Sequence, residues 1–187
     1  METIVKRRIK QMIKGDQNAY EEIVELYRDK VFQLCYRMLG DRYEAEDIAQ
    51  EAFIRAYINI KSFNQNLKFS SWIYRIATNL CIDRIRKKKP DYYLDAEVPG
   101  TEGLNMYSQV SADTARPEVE LESLELRDEV QKQIAMLPEK YRSAIVLKYI
   151  EELSLNEISE ILDLPLGTVK TRIHRGREAL RQQLKNV

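Results

Sequence analysis

Apolar residues recur at helical spacing through most of the chain. Ile23, Tyr27, Val31, Leu34 and Met38 follow one another at intervals of three and four behind Asp16, whose side chain can cap a first turn, and the run closes at Gly40. A second series passes through Ala45, Ile48, Ala52, Phe53, Ala56 and Ile60. A third runs from about Ser70 to Lys88 through Ile73, Ile76, Ala77, Leu80 and Ile85. With a short N-terminal helix, these predict one helical domain over residues 1–90. Pro90 ends the third helix, because proline disfavours helix in the residue before it. From there to Pro117 the chain holds Pro99, Gly100 and Gly103 with no sustained period, so 91–117 reads as a flexible linker. Residues 118–187 predict a second helical domain. Its first helix spans about 118–136 with Leu121, Leu124, Val130 and Ile134 on one side, and another starts at Pro138 and ends before Ser154. Ser154 and Glu157 form a capping box ahead of Ile158, Ile161 and Leu162, and a last helix follows Pro165 to about Leu184. The expected fold class is all-α, two small helical domains on a tether.

Composition narrows the picture. Six glycines and five prolines in 187 residues are too few for the many turns of an all-β fold. No apolar run approaches the roughly 18–20 residues that span a bilayer, and the N-terminus lacks the apolar core and cleavage site of a signal peptide. The expectation is a cytoplasmic protein without membrane insertion. Cys35 and Cys81 sit among apolar residues and read as buried small hydrophobes. His174 is the single histidine and no CxxC accompanies it, so neither a metal site nor a cofactor is expected. The formal net charge is zero but the charge is segregated. Residues 1–90 carry 18 Lys/Arg against 12 Asp/Glu, residues 91–118 carry one against six, and residues 165–187 carry six against one. Local fields of this kind decide partners more than the sum does.

The strongest motif is LNEISEILDLPLGTVKTRIHRGREALRQQL. A short helix with small Ser159, a break at Asp163–Gly167 and a second helix with Val169 and Ile173 inward is the spacing of a helix-turn-helix. The second helix of such a motif enters the major groove. Its outward residues here are Lys170, Thr171, Arg172, His174, Arg175 and Arg177, types suited to guanine acceptors, phosphates and thymine methyls. The position between the helices, often glycine, is Asp163.

Two further segments carry chemistry. Residues 63–89 combine Phe63, Phe69, Trp72 and Tyr74 with Lys68, Arg75, Arg84, Arg86, Lys87, Lys88 and Lys89, and add Asn79. Cations that track phosphates beside rings that receive unstacked bases are what single-stranded DNA binding needs, although Phe69 and Trp72 are equally consistent with core packing. In EAEDIAQEAFIRAY, Glu44, Asp47 and Glu51 share one helical face with Gln50 and Arg55 alongside. Without histidine or a phosphate loop this reads as a protein-docking surface.

Taken in series, AEDIAQEAFIRAY, KFSSWIYRIATNLCIDRIRKKK, LPEKYRSAIVLKYIEELSLNEISEIL and LPLGTVKTRIHRGREAL resemble the extracytoplasmic-function (group 4, sigma-70 family) RNA polymerase sigma factors of bacteria, over nearly the whole chain. The resemblance implies a sigma region 2 domain over 1–90 and a sigma region 4 domain over 118–187. Asp47, Gln50, Glu51 and Arg55 would dock on the clamp helices of core RNA polymerase, with the flap as a second contact. Phe63, Lys68, Phe69, Ser70, Ser71, Trp72, Arg75, Asn79, Arg84 and Arg86 would capture the melted −10 element, a base entering a pocket near the loop before Trp72. Lys170, Thr171, Arg172, His174, Arg175 and Arg177 would read the −35 element as duplex. The acidic linker would thread toward the polymerase active-site channel. The promoters would be stress-response promoters, and a membrane-anchored anti-sigma factor would hold the protein inactive. Two modules on one tether raise the effective concentration for the second contact and leave each weak alone, so the free protein is expected to bind promoter DNA poorly.

Two other classes compete. An ordinary helix-turn-helix regulator explains 154–184 but leaves the aromatic-basic segment and the acidic helix unused, and predicts a palindromic site. A nucleic-acid enzyme would need a phosphate-binding loop, a metal cluster or a nucleophile–base pair, none of which the sequence offers.

Overall fold

The computed structural model describes residues 2–88 and 128–184, and everything regular in them is helical. The N-terminal unit contains α1 (Glu2–Ile13), α2 (Gln17–Leu39), α3 (Arg42–Asn59) and α4 (Phe69–Lys88), with a 3₁₀ turn at Ile60–Ser62. The C-terminal unit contains α5 (128–136), α6 (Glu139–Ile145), α7 (Leu155–Leu162) and α8 (Leu166–Leu184). The expected linker over 91–117, its acidic side chains, and the first part of the 118–136 helix with Leu121 and Leu124 lie outside the described residues.

Local signals set most of the boundaries. The Asp16 side chain accepts from the Ala19 N–H at 3.3 Å, and Asp41 accepts from Glu44 at 2.9 Å, satisfying orphan donors at the starts of α2 and α3. Gly40 closes α2 at φ 74°, a left-handed conformation that glycine adopts without steric cost. Ser154 and Glu157 bond reciprocally as a capping box. One helix departs from the expected form. The segment from Pro138 is α-helical only to Ile145 and continues as a π turn over Val146–Ile150, where the Glu151 N–H reaches back to the Val146 carbonyl at 3.1 Å.

The stripes foreseen in α2, α3 and α4 form the N-terminal core. Val31, Leu34, Met38, Ala52, Ile73 and Ala77 are fully enclosed, and Cys35 and Cys81 are buried and free. The C-terminal core is built from Ala144, Val146, Leu147, Ile158, Ile161 and Val169. In α5 the expected inward side holds only in part: Ile134 is buried as expected, but Val130 is 37% exposed, whereas Gln131 is 6% exposed. The reason is tertiary. The Gln131 amide accepts from Arg37 Nη1 at 2.9 Å and donates to the carbonyls of Tyr36 and Arg37 at 3.3 and 3.2 Å, so α5 turns a polar residue onto the end of α2.

The two units therefore pack against each other. Arg142 of α6 is 8% exposed and has no carboxylate partner in its hydrogen bonds. Its guanidinium donates to the Met38 carbonyl in the last turn of α2 at 2.7 Å, to Leu137 at 3.0 and 3.2 Å, and to Ala135. These are carbonyls at the negative ends of α2 and α5, which favour a cation. Burial still pushes the pKa of Arg142 down to about 10.

Candidate nucleic-acid interface

The helix-turn-helix forms as α7, a turn at 163–165, and α8. Asp163 takes the left-handed conformation at φ 55°, ψ 50°, which a short polar side chain tolerates better than most. The turn is tied by the Leu164 N–H donating to the Ser159 carbonyl at 3.1 Å and by the Ser159 hydroxyl donating to the Leu164 carbonyl. Ser159 thus closes the turn as well as being small. On α8, Val169, Ile173 and Gly176 face inward. Lys170, Thr171, His174, Arg175 and Arg177 are exposed, and Arg172 is half-buried. The Thr171 hydroxyl donates to the Gly167 carbonyl at 2.9 Å, which leaves its methyl for outside contacts. Arg175 hydrogen-bonds the Tyr141 hydroxyl and lowers its pKa, so this cation is braced against α6.

The aromatic-basic segment divides in two. Phe63 and Phe69 are buried, and Trp72 is half-buried against both, with ring centroids 5.1 and 5.7 Å away. These rings form one cluster, and the Phe69 ring also meets Tyr27 edge-on at 5.3 Å. Beside the cluster lies a cleft of about 410 Å³, lined by Phe63, Lys68, Phe69 and Ser70, by Gln65, Asn66 and Leu67 of the loop, and by Val5, Lys6, Ile9 and Lys10 of α1. Its size falls within the roughly 300–1,000 Å³ of small-ligand sites. Ser71 is buried, and Arg75 and Asn79 are exposed farther along α4. Asn79 is ten residues beyond Phe69, about 15 Å along the helix, and does not line the cleft.

Arg84 is held elsewhere. It pairs with Asp47 at 2.8 Å and Glu44 at 3.5 Å, and Lys88 pairs with Glu44 at 2.6 Å. Arg84 thus belongs to a second, charged cleft of about 240 Å³ with Asp47, Glu51, Arg55 and Lys87. The Asp47 bond raises the pKa of Arg84. Gln50 is exposed on the same helix, and Arg55 pairs with Glu51 at 2.7 Å. The acids of α3 are therefore balanced by cations of α4 as well as by Arg55.

Sequence reading passed over two contributors. Ile54 and Ile58, four apart on α3 and outside its buried stripe, are 52% and 70% exposed beside the acidic face. Their spacing was a legible signal. The α1 side of the first cleft had none, because it arises from packing.

Across the units, cations of the N-terminal segment meet acids of the C-terminal unit. Lys68 Nζ lies 2.7 Å from Glu157, Arg75 Nη2 3.3 Å from Asp163, and Arg86 Nε 3.7 Å from Glu139. Between them Tyr74 donates to Glu151; burial first, and then the Glu151 charge, push the Tyr74 pKa up. Among the described residues no group of acids, cysteines and histidine is placed to hold a metal ion, and no helix is long and apolar enough to cross a membrane.

Comparison with known proteins gives matches to both units. The family profile for sigma-70 region 2 matches residues 23–90 and that for sigma-70 region 4 matches residues 127–180. The chain is 69% identical over 187 residues to the ECF RNA polymerase sigma factor SigW of Bacillus subtilis strain 168, covering all of both chains. It is 37% identical over 176 residues to the ECF RNA polymerase sigma-E factor of Escherichia coli K12, covering 92% of this chain and 90% of the relative. Among solved structures, CnrH in complex with the cytosolic domain of CnrY shares the fold at a TM-score of 0.71 and 21% identity, over 98% of each chain. The sigma factor RpoE in complex with the anti-sigma factor NepR from Bartonella quintana does so at 0.64 and 22%, over 89% of this chain and 96% of that one.

Proposed function

The chain belongs to the extracytoplasmic-function sigma factors, which direct RNA polymerase transcription and are not enzymes, and from that premise we propose how its surfaces divide the work. The exposed residues of α8 read the −35 element as duplex. The cleft between α1 and the 65–70 loop receives a base of the melted −10 strand, and Lys68, Arg75 and Arg86 track its phosphates. The α3 face with Asp47, Gln50, Glu51 and Arg55 docks on the polymerase clamp helices, with Ile54 and Ile58 adding apolar area and Arg84 bracing the acids. Stress-response promoters and a membrane-anchored anti-sigma partner complete the reading, as does a cytoplasmic location.

The observation that carries the proposal is the division of α8. Val169, Ile173 and Gly176 fix one side in the core, and Lys170, His174 and Arg177 stand exposed on the other. A merely solvated helix would not require a positive face set at the second position of a helix-turn-helix. Each good base contact discriminates by about 1–3 kcal/mol. Run-off transcription with core polymerase on a pool of promoters tests it. We expect transcripts that depend on the protein and fall about 100-fold or more for Lys170→Ala/Arg177→Ala. A salt-sensitive footprint by the protein alone on a palindrome, with no dependent transcript, would refute the division of labour.

A further inference from the structure

Arg175 and Gly176 are neighbours on α8, and the second decides what lies beside the first. A Cβ at 176 would stand 2.7 Å from Ile145 Cγ1 and 3.4 Å from Tyr141 Cβ, so its absence is what lets α6 close on α8 at this point. Tyr141 is half-buried there, and its backbone N–H donates to the Pro138 carbonyl at 2.9 Å. Lys140 Nζ lies over its ring, 5.1 Å from the centroid. Backbone, helix contact and cation together hold the ring in place, and the hydroxyl meets the Arg175 guanidinium.

The nature of that partner matters. Arg175 is exposed, yet no ion pair among the described residues engages it, although Glu178 follows three positions later on the same helix. It donates instead to a neutral phenol oxygen, which leaves its charge intact. Arginine carries five N–H donors in a rigid planar fork, so a bond to Tyr141 on one edge leaves another edge for two acceptors and fixes the plane in which they must lie. Holding a long side chain still costs rotamer entropy, and the cost is recovered only against a target that demands direction. A phosphate offers acceptors over most of its surface. Guanine offers O6 and N7 in the plane of the base, and a coplanar fork meets both. Arg175 also lies four residues beyond Thr171, on the same face of α8 and one turn farther along.

We propose that Tyr141 is a positioning residue for promoter specificity: its hydroxyl holds the Arg175 guanidinium in the plane required for bidentate bonding to one guanine of the −35 duplex. This rests on the duplex-reading role given to α8 above. Tyr141 touches no base and acts through Arg175. Specificity at one base pair is thereby set in part from α6, outside the helix-turn-helix itself. Gly176 serves the same end, because a side chain there would push the Tyr141 ring away from its neighbour.

The test is equilibrium binding of holoenzyme, core polymerase with the full chain, to a panel of promoter duplexes in which each −35 base pair is changed in turn. Wild type should prefer one G·C pair by about tenfold or more, and Arg175→Ala should abolish that preference. Tyr141→Phe keeps the ring against Gly176 and removes only the hydroxyl. It should relax the preference at the same pair by about fivefold, leave the other pairs as in wild type, and add nothing on top of Arg175→Ala. Arg175→Lys keeps the charge without the fork and should relax that pair as well. A packing role for Tyr141 would instead lower affinity for every duplex alike. Full preference retained by Tyr141→Phe at the pair that depends on Arg175 would overturn the proposal. A uniform loss across the panel with a shallower salt dependence would also overturn it, by placing Arg175 on a phosphate. If Lys170→Ala changes a base preference and Arg175→Ala changes none, the positioning role falls while α8 stays the reading helix. If neither changes any, the duplex-reading role of α8 falls first.

Discussion

At Gly176 α8 lies directly against α6, and replacing it gives a sharp test of that packing. A Cβ added there would sit 2.7 Å from Ile145 Cγ1, 3.1 Å from its Cδ1 and 3.4 Å from Tyr141 Cβ. Ile145 is buried, and Cγ1 is the inner methylene of its longer arm, not a free end, so relief requires a shift of α6 or of the Ile145 rotamer. Overpacking of this kind costs about 1–3 kcal/mol. Alanine in a helix interior recovers about 0.8–1 kcal/mol relative to glycine. At the middle of the two ranges the steric term wins, and Gly176→Ala should destabilise by about 1 kcal/mol. Gly167 provides the internal control, because nothing lies within 4 Å of its added Cβ. Gly167→Ala keeps only the propensity gain and should be neutral or stabilising by up to about 1 kcal/mol. For a protein of this size these values correspond to a loss of about 3 °C and a gain of 0 to about 3 °C in Tm, followed by far-UV circular dichroism. If Gly176→Ala melts at or above the wild-type temperature, the contact between α6 and α8 is looser than described. In that case α8 would not be held at a fixed distance from its core.

Arg142→Met should destabilise by about 3 kcal/mol in urea unfolding, since it strips the donor from buried carbonyls at the ends of two helices. Arg142→Lys should restore only part, because three separate carbonyls need the guanidinium fork. Acid should erase the contribution of Glu157. Its carboxyl is held at about 2, against an ordinary 4.5, first by the Lys68 bond and then by Ser154. A depressed carboxyl pKa stabilises above 4.5, and that contribution is lost as pH falls from there toward 2. Stability differences between wild type and Glu157→Gln, about 1 kcal/mol at neutral pH after screening by solvent, should therefore vanish across that window. A difference that grows on acidification would mean the Lys68 pair does not form in solution.

The elements that sequence pattern located are those whose causes are local. Asp16, Gly40 and the Ser154–Glu157 box act within four residues of themselves, and each marks a helix end. The limits of α8 and the inward placement of Val169 and Ile173 follow from a 3.6-residue period. What escaped depends on partners far away in the chain. Gln131 is buried because Arg37 and the last carbonyls of α2 receive it, 94 and 95 residues distant. Arg142 is buried for the same reason, 104 residues from Met38. Pattern leaves Phe69 and Trp72 open between stacking rings and core, and in the fold Phe63 and Phe69 are buried in the wall of the cleft that Val5 and Ile9 of α1 also line. Arg84 was grouped with the single-strand cations by its place in a basic run, yet it faces Asp47 and Glu44 on α3.

The contact between the units could not be read from pattern for a deeper reason. A core face must be apolar because it is never exposed in the native state, and its period reveals it. A face that is covered in one arrangement and open in another must be soluble in both. Lys68, Arg75, Arg86, Glu139, Glu157 and Asp163 meet that requirement as ordinary charged surface, so each sequence stretch looks like a solvated helix. Only the complementarity of sign between distant stretches distinguishes the interface. The buried part joins the end of α2 to two polar side chains, Arg142 and Gln131, sets Tyr74 of α4 against Glu151, and brings apolar residues of both units into one continuous cluster. Water can take over the Met38 carbonyl on opening, while Arg142 keeps its bonds to Ala135 and Leu137 within its own unit. Separation therefore leaves no stranded charge at Arg142.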